Sequence, residues 1–284
     1  MKYCMNLLLW NSEVTDAELT VAEQLKEMGY DGVELPLFAA APADQFEKLG
    51  KQLDNLGLGR TAVTILGADA NPISPDRSIR EQGVETMRAV LDNCAQAGVE
   101  VLVGPFHSAL GEFSGNPPTA DEWSWGVESV RKMAEYANQV GVRLGVEPLN
   151  RFETYLLNTQ ADAARFVREI DQPGCGMLYD TFHSNIEEKS ISAAIASCAD
   201  VIAHVHISEN DRSTPGQGNV NWQENFDALH TAAYDGWMTV EAFGRRLPEL
   251  AAATKIWRKM YDSEMQLAGD ALAFMQAEVA KRWG

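Results

Sequence analysis

The stretch AGVEVLV at residues 97–103 contains the pattern that decides the fold. It follows an amphipathic segment in which Val84, Met87 and Leu91 share one helical face. Gly98 is the residue type that most readily takes the left-handed conformation in which helices end, and the β-branched run after it favours a strand. The stretch therefore predicts a helix, a stop and a buried strand in immediate succession.

Repetition of this pattern predicts an α/β barrel. A glycine again precedes a short apolar run within residues 28–35, 56–66, 140–146 and 235–240. The sequence predicts eight strands, at residues 3–9, 32–36, 60–66, 99–104, 142–147, 175–179, 201–206 and 237–241. Eight alternating strands and helices favour a (β/α)8 TIM barrel. An open doubly wound sheet is the alternative, and the lack of a G-x-G-x-x-G motif after the first strand disfavours it.

Length and helix signals complete the fold prediction. A chain of 284 residues is within the size of one α/β barrel, so we predict a single domain over residues 1–284. Thr119 and Glu122 have the spacing of a capping box, and Ser74 before a proline has the pattern of a helix start. Residues 248–284 predict a helical tail with breaks, suited to closing the barrel or to self-association as a homodimer or homotetramer.

Composition narrows the classes of partner. The sequence has 41 acidic and 23 basic residues and a net charge of −18, so its average field repels nucleic acid and anionic lipid. The apolar run after Asn6 is too short for a signal peptide or a membrane span. We therefore expect a cytoplasmic protein that binds a small molecule and has neither nucleic acid nor a membrane as a partner.

Four consecutive predicted strands end in side chains that can bind a metal. These are Glu147, Asp180, His206 and Glu241. Reacting groups of α/β barrels lie at this end of the strands, so the four are expected to converge. Three carboxylates and an imidazole suit Mn²⁺, Mg²⁺ or Co²⁺. His204 shares a face with His206 and is expected to be a core or supporting histidine, whereas His107 and His230 are expected to be ordinary polar residues.

Four distinctive segments surround these positions: EPLNRFE at 147–153, YDTFH at 179–183, HVHISENDR at 204–212 and VEAF at 240–243. They are similar to segments of the ketose 3-epimerases of the xylose isomerase-like barrel superfamily, which include D-tagatose, D-psicose (allulose) and L-ribulose 3-epimerases. The resemblance implies one divalent metal, with Mn²⁺ as the first choice, bound by Glu147, Asp180, His206 and Glu241. It further implies Glu147 and Glu241 as an acid/base pair, Glu153, His183 and Arg212 at the O1–O2 end of the sugar, and Trp10 and Phe243 as apolar pocket lining.

These groups suit a reaction that inverts a carbon beside a ketone. The hydrogen on such a carbon is weakly acidic, so removal of the proton requires stabilisation of an enediolate, which a metal provides. Two carboxylates on opposite faces can remove the proton from one side and return it to the other. Arg212 is the cation nearest the loop GQG at 216–218, which is little for a phosphate site. Together with the resemblance, which implies the ketose and its C3, these points predict C3 epimerisation of an unphosphorylated ketose through a cis-enediolate.

Four alternatives remain open from the sequence. An aldose-ketose isomerase of the hydroxypyruvate isomerase type and an inosose dehydratase-like lyase could use the same ligands. A nuclease like endonuclease IV assembles a multi-zinc site, which the net charge of −18 and the five histidines disfavour. A metal-dependent sugar-binding protein would bind its ligand without exchanging hydrogen with solvent.

Overall fold

Eight parallel strands form one closed barrel in the part of the chain that the structure describes. The structure is a computed structural model and describes residues 1–13, 16–38 and 43–284. The strands are β1 (Lys2–Asn6), β2 (Gly32–Pro36), β3 (Gly59–Val63), β4 (Val101–Gly104), β5 (Arg143–Val146), β6 (Cys175–Asp180), β7 (Ile202–Ile207) and β8 (Trp237–Val240). Each strand pairs with the next, and β8 pairs with β1, which confirms the predicted (β/α)8 barrel over the open sheet.

Helices connect the strands and surround the barrel. They are α1 (Asp16–Met28), α2 (Ala43–Leu56), α3 (Arg77–Ala97), α4 (Ala120–Val140), α5 (Gln160–Ile170), α6 (Thr181–Glu187), α7 (Ile191–Cys198), α8 (Trp222–Thr231), α9 (Pro248–Ala253) and α10 (Glu264–Trp283). The last two form the predicted tail, and the predicted break separates them. Among the described residues, no helix is both long enough and apolar enough to cross a membrane.

Local sequence signals explain where two of the long helices begin and end. The Thr119 side chain accepts a hydrogen bond from the Glu122 N–H at 3.1 Å, and the Glu122 carboxylate accepts one from the Thr119 N–H at 2.7 Å. This confirms the predicted capping box of α4. Gly98 and Gly141, with φ of +69° and +77°, end α3 and α4 in the left-handed conformation.

Several predicted boundaries are wrong: β3 ends at Val63 rather than at residue 66, and two others differ because a side chain binds nearby backbone. Helix α3 begins at Arg77, since Asp76 rather than Ser74 accepts a hydrogen bond from the first turn of the helix. The Ser74 hydroxyl instead accepts the N–H of Asp76 at 3.1 Å. Strand β1 ends at Asn6 rather than at residue 9, because the Asn6 side chain accepts the N–H of Leu8 at 2.9 Å and starts a 3-10 turn.

Much of the barrel interior is polar. Alternate residues of a strand share a face, and six of the strands point polar side chains inward. Those with no solvent exposure are Asn6, Glu34, Thr61, Asp180, His204, His206 and Thr239. The large apolar core lies between the strands and the helices, where residues such as Leu144 and Met177 pack with Met87 and Phe166.

The amino-terminal end of the barrel is closed by Trp237. A Cβ atom at either Gly32 or Gly59 would lie 2.7 Å from its indole ring, so only glycine leaves room for the ring. The indole N–H donates to Glu100 at 3.1 Å, and Lys2 Nζ lies 4.6 Å from the ring centroid. Small molecules therefore reach the polar interior from the opposite end, where the strands finish.

Gly104, the last residue of β4, is expected to tolerate no side chain. Its φ is +135°, and a Cβ atom would lie 2.0 Å from the carbonyl oxygen of Thr64. We expect Gly104→Ala to lower the free energy of unfolding by at least about 2 kcal/mol, because backbone strain and a steric clash add. The control is Gly269→Ala in α10, where a Cβ atom meets nothing within 4 Å. Urea unfolding would measure both, and equal stabilities would contradict the expectation.

Candidate functional site

Four neighbouring strands bring the predicted metal ligands to the carboxyl end of the barrel. Glu147 follows β5, Asp180 ends β6, His206 lies in β7 and Glu241 follows β8, and all four are buried. Ligand atoms of Asp180, His206 and Glu241 lie within 4.8 Å of one another, and those of Glu147, Asp180 and His183 form a second such group. The predicted ligands thus lie in one cluster joined at Asp180, although Glu147 and His206 belong to different groups.

The cluster fits a divalent cation. Nδ1 of His206 is buried and has no hydrogen-bond partner among the described residues. It lies 3.8 Å from Asp180 Oδ2 and 3.5 Å from Glu241 Oε1, which is longer than an ordinary hydrogen bond. Atoms at this spacing can share one cation. Carboxylate oxygens with one imidazole nitrogen are also ligands that Mn²⁺, Mg²⁺ and Co²⁺ accept.

Burial and neighbouring charges set the protonation of the carboxylates. Burial, followed by the charge of Glu241, holds the pKa of Glu147 well above its usual value. Burial also raises the pKa of Asp180, but the charge of Arg212 outweighs it and holds that pKa below its usual range. The two carboxylates therefore differ: Asp180 is ionised, whereas Glu147 readily holds a proton.

Arg212 is a cation in direct contact with the cluster. Its Nη1 lies 3.2 Å from Asp180 Oδ2 and is hydrogen-bonded to the Glu241 carboxylate. The guanidinium carbon lies 3.8 Å from the ring centroid of Phe182 and 5.1 Å from that of Phe243, so two aromatic rings hold it. The backbone of Arg212 has φ of +61°, an uncommon conformation for a residue with a side chain. The surroundings therefore fix this residue in a strained but defined position.

His183 and Arg212 direct two N–H groups into the same space. The backbone N–H of Asn150 donates to Nδ1 of His183 at 3.0 Å, so the neutral ring carries its proton on Nε2. Burial lowers the pKa of His183, which keeps the ring neutral. Its Nε2 lies 3.0 Å from Arg212 Nη2 and 3.5 Å from Glu147 Oε1. Two N–H donors this close together can both bind one oxygen atom that lies beside them, such as a carbonyl or hydroxyl of a ligand.

The three other predicted site residues differ in how they are connected to His183 and Arg212. The Asn150 side chain donates to Glu153 Oε1 at 2.7 Å, so Glu153 joins the network of His183. The Phe243 N–H donates to the Arg212 carbonyl at 2.8 Å, which places Phe243 beside the cluster. Trp10 is buried, and its carbonyl accepts a hydrogen bond from an arginine in the loop after β8. Among the described residues, no hydrogen bond or ring contact joins Trp10 to the predicted ligands, and its role stays a prediction.

Sequence reasoning missed two buried residues that support the ligands. Glu34 in β2 accepts a hydrogen bond from Nε2 of His206 at 2.8 Å. The sequence pattern that could have identified Glu34 is an acidic residue between apolar neighbours in a predicted strand. The prediction for His107 is wrong: it is fully buried, and its Nε2 donates to the carbonyl oxygen of Glu147 at 3.0 Å. A contact with distant backbone leaves no sequence signal. His204 lies one layer below His206, toward the amino-terminal end of the barrel, as predicted. Its Nε2 is 3.0 Å from Glu34 Oε2.

Comparison with known proteins finds relatives along nearly the whole chain. Residues 22–276 match the family model described as xylose isomerase-like TIM barrel. A probable ketose 3-epimerase from Synechocystis sp. is 32% identical over 278 residues, which cover 97% of this chain and 96% of that protein. A structure of L-ribulose 3-epimerase has a TM-score of 0.93 at 30% identity, covering 99% of this chain and 96% of that one. D-allulose 3-epimerase from Methylomonas sp. in complex with D-allulose has a TM-score of 0.90 at 28% identity, with coverage of 98% and 97%.

Burial of His107 makes the stability of the protein depend on pH. Burial lowers the pKa of His107 to about 4, whereas an unfolded chain protonates histidine near about 6.5. Between these values the unfolded chain binds a proton that the folded protein does not. The free energy of unfolding therefore decreases as the pH falls from about 6.5 to about 4, with a contribution of about 3 kcal/mol from this residue.

We expect His107→Gln to remove this part of the pH dependence, because glutamine can donate to the Glu147 carbonyl without titrating. Urea unfolding between about pH 4.5 and pH 7 would measure the slope. The control is His230→Gln, which replaces an exposed histidine and should keep the wild-type slope. A wild-type slope in His107→Gln would contradict the expectation.

Proposed function

We propose that this chain catalyses the metal-dependent inversion of C3 in an unphosphorylated ketose. The chain belongs to the xylose isomerase-like TIM barrel family and, within it, to the ketose 3-epimerases, which are isomerases. D-tagatose, D-fructose, D-psicose and L-ribulose are the proposed type of substrate. The observation that carries the proposal is the buried cluster of three carboxylates and His206, with the unpartnered Nδ1 facing the carboxylates. Relatives named for ketoses, one of them in complex with D-allulose, support the sugar assignment.

The proposed metal ligands are Glu147, Asp180, His206 and Glu241, and the proposed metal is one Mn²⁺, with Mg²⁺ or Co²⁺ as alternatives. The donor types and the contact of Arg212 with two of the carboxylates support a site that attracts positive charge. When bound, a divalent cation supplies Lewis-acid stabilisation of the negative charge that develops on the substrate oxygens. Positioning the sugar and moving the proton are tasks of the protein side chains.

Glu147 and Glu241 are the proposed acid/base pair. They follow β5 and β8, with β6 and β7 between them, so they can approach a sugar from two sides of the barrel mouth. One carboxylate removes the proton from C3, and the other returns a proton to the opposite face of the cis-enediolate. Burial and the charge of Glu241 raise the pKa of Glu147, which suits a group that must hold a proton during part of the cycle.

His183, Arg212 and Glu153 are proposed to bind the O1–O2 end of the ketose. The N–H groups of His183 and Arg212 lie close together, and this arrangement supports one sugar oxygen that accepts from both. Glu153 is held by Asn150 at 2.7 Å and offers an acceptor for a hydroxyl group. Phe243, and by resemblance Trp10, are proposed to cover the apolar C–H surface of the sugar.

The loop after β7 supports an uncharged sugar. A phosphate in this loop would need free backbone N–H groups. Those of Gly216 and Val220 donate instead to the carboxylate of Glu209, at 2.9 and 3.0 Å. The indole N–H of Trp222 also donates to Glu209 at 2.9 Å. Glu209 is fully buried, and its negative charge would repel a phosphate.

Solvent deuterium distinguishes the proposal from its alternatives. The chain incubated with Mn²⁺ and D-fructose, D-tagatose, D-psicose or L-ribulose in D₂O should yield the C3 epimer labelled at C3, because the proton that returns comes from an exchangeable carboxyl group. NMR would locate the label. EDTA treatment should abolish labelling, and added Mn²⁺ should restore it.

The other results of this experiment would each contradict the proposal. Label at C1 would indicate an aldose-ketose isomerase, and a dehydrated product would indicate a lyase. Sugar binding without label would indicate a binding protein. A cytoplasmic location and a homodimer or homotetramer remain predictions of the sequence.

Replacement of Glu147 tests the acid/base role. We expect Glu147→Gln to lower kcat by about 10²- to 10⁴-fold, because glutamine keeps the shape of the side chain but cannot transfer the proton. Steady-state kinetics and circular dichroism would separate loss of chemistry from loss of fold. Glu135→Gln, at an exposed position of α4, is the control and should keep wild-type activity. Full activity of Glu147→Gln would rule out the assignment.

A further inference from the structure

We propose that Glu34 is a positioning residue of the metal site, which fixes the ring of His206 so that Nδ1 faces the metal and Nε2 does not. The inference rests on the proposed function, since it takes His206 as a metal ligand. Glu34 lies on β2 and His206 on β7, with β8 and β1 between them, so their contact crosses the interior of the barrel.

Glu34 receives four polar contacts although it is fully buried. Its Oε1 accepts hydrogen bonds from the Asn6 side-chain amide at 3.0 Å and from His206 Nε2 at 2.8 Å. Its Oε2 accepts one from the Thr61 hydroxyl at 2.8 Å and lies 3.0 Å from His204 Nε2. Residues of three other strands, β1, β3 and β7, thus hold the carboxylate, and it can neither rotate nor move without losing several of these contacts.

The hydrogen bond at Nε2 determines which nitrogen of His206 is free. An ionised carboxylate only accepts hydrogen bonds, so the neutral imidazole must carry its proton on Nε2. The lone pair is then on Nδ1, the atom that is buried, unpartnered and 3.5 Å from Glu241 Oε1. A carboxylate that accepts the far N–H of a metal-binding histidine fixes the ring orientation and makes the ring a stronger donor.

A competing reading makes Glu34 itself a metal ligand. Glu34, His204 and His206 offer atoms within 4.8 Å of one another, so the three residues could hold a second cation. The observed contacts disfavour this reading, because Nε2 of both rings already lies at hydrogen-bond distance from Glu34. Thr239 Oγ1 also lies 2.9 Å from His204 Nε2. The number of cations bound per chain distinguishes the two readings.

The variant Glu34→Gln tests the positioning role. Glutamine keeps the shape of the side chain, but it is uncharged, and its amide N–H can face Nε2 of His206. The imidazole proton can then move to Nδ1, where it blocks metal binding. We expect the affinity of the metal-free protein for Mn²⁺, measured by chelator competition, to fall about 10- to 100-fold. Wild type and variant should each bind one Mn²⁺ per chain.

Thr61→Val is the matched control. It removes one hydrogen bond to the same carboxylate but leaves the charge of Glu34 and its bond to His206 in place. Both variants should lower the melting temperature of the metal-free protein, because both disturb the barrel interior. Only Glu34→Gln should weaken Mn²⁺ binding, so the affinity separates positioning from a purely structural role.

Several results would overturn the inference. Equal Mn²⁺ affinity of wild type and Glu34→Gln would refute it while leaving the proposed metal site intact. Two cations per wild-type chain, reduced to one in Glu34→Gln, would make Glu34 a ligand instead. A wild type that binds no divalent metal would refute both the inference and the proposed function. If Glu34→Gln does not fold, Glu34→Asp applies the same test, because the shorter side chain withdraws from His206; unchanged affinity would again refute positioning.

Discussion

Burial of charge is the constraint on which the structure of this barrel depends. A carboxylate without water is stable only when cations or hydrogen-bond donors surround it. Glu34 meets this requirement with two histidines, an amide and a hydroxyl in the barrel interior. At the mouth, Arg212 contacts both Asp180 and Glu241. Each of these buried carboxylates is therefore balanced by hydrogen-bond donors or a cation, and the apolar core outside the strands keeps the partners in position.

The same constraint explains why single residues serve both the fold and the site. Asp180 ends β6, caps α6 by accepting the Phe182 N–H at 2.6 Å, and directs its other oxygen toward the cluster. The start of α6 is thereby fixed relative to the predicted ligands, and His183 in its first turn is fixed with it. Asn150 acts similarly, since it binds His183 through its backbone and Glu153 through its side chain.

The sequence predicted what depends on local pattern and on the geometry of parallel strands. Glycine stops followed by β-branched runs located the strands, and because parallel strands all end on one side, Glu147 and Asp180 could be placed together without a structure. The roles of Glu153 and Arg212 came from family resemblance. The contact between Glu34 and His206 joins residues 172 positions apart on opposite sides of the barrel. It depends on the stagger of the strands and on the direction of the side chains, which a local sequence pattern does not predict.

The tryptophan at the amino-terminal end turns the barrel into a cup with one opening. Because Trp237 fills the space over Gly32 and Gly59, any small molecule that enters the interior takes the route past the carboxyl ends of the strands. Asp180 and His206 are fully buried, whereas Glu147 and Glu241 keep about 4% and 5% of their surface exposed, so the floor of the cup is reached last. For the proposed function this arrangement orders the binding steps: an ion at the floor would have to arrive before a sugar that covers it, and it would stay in place until the sugar departs.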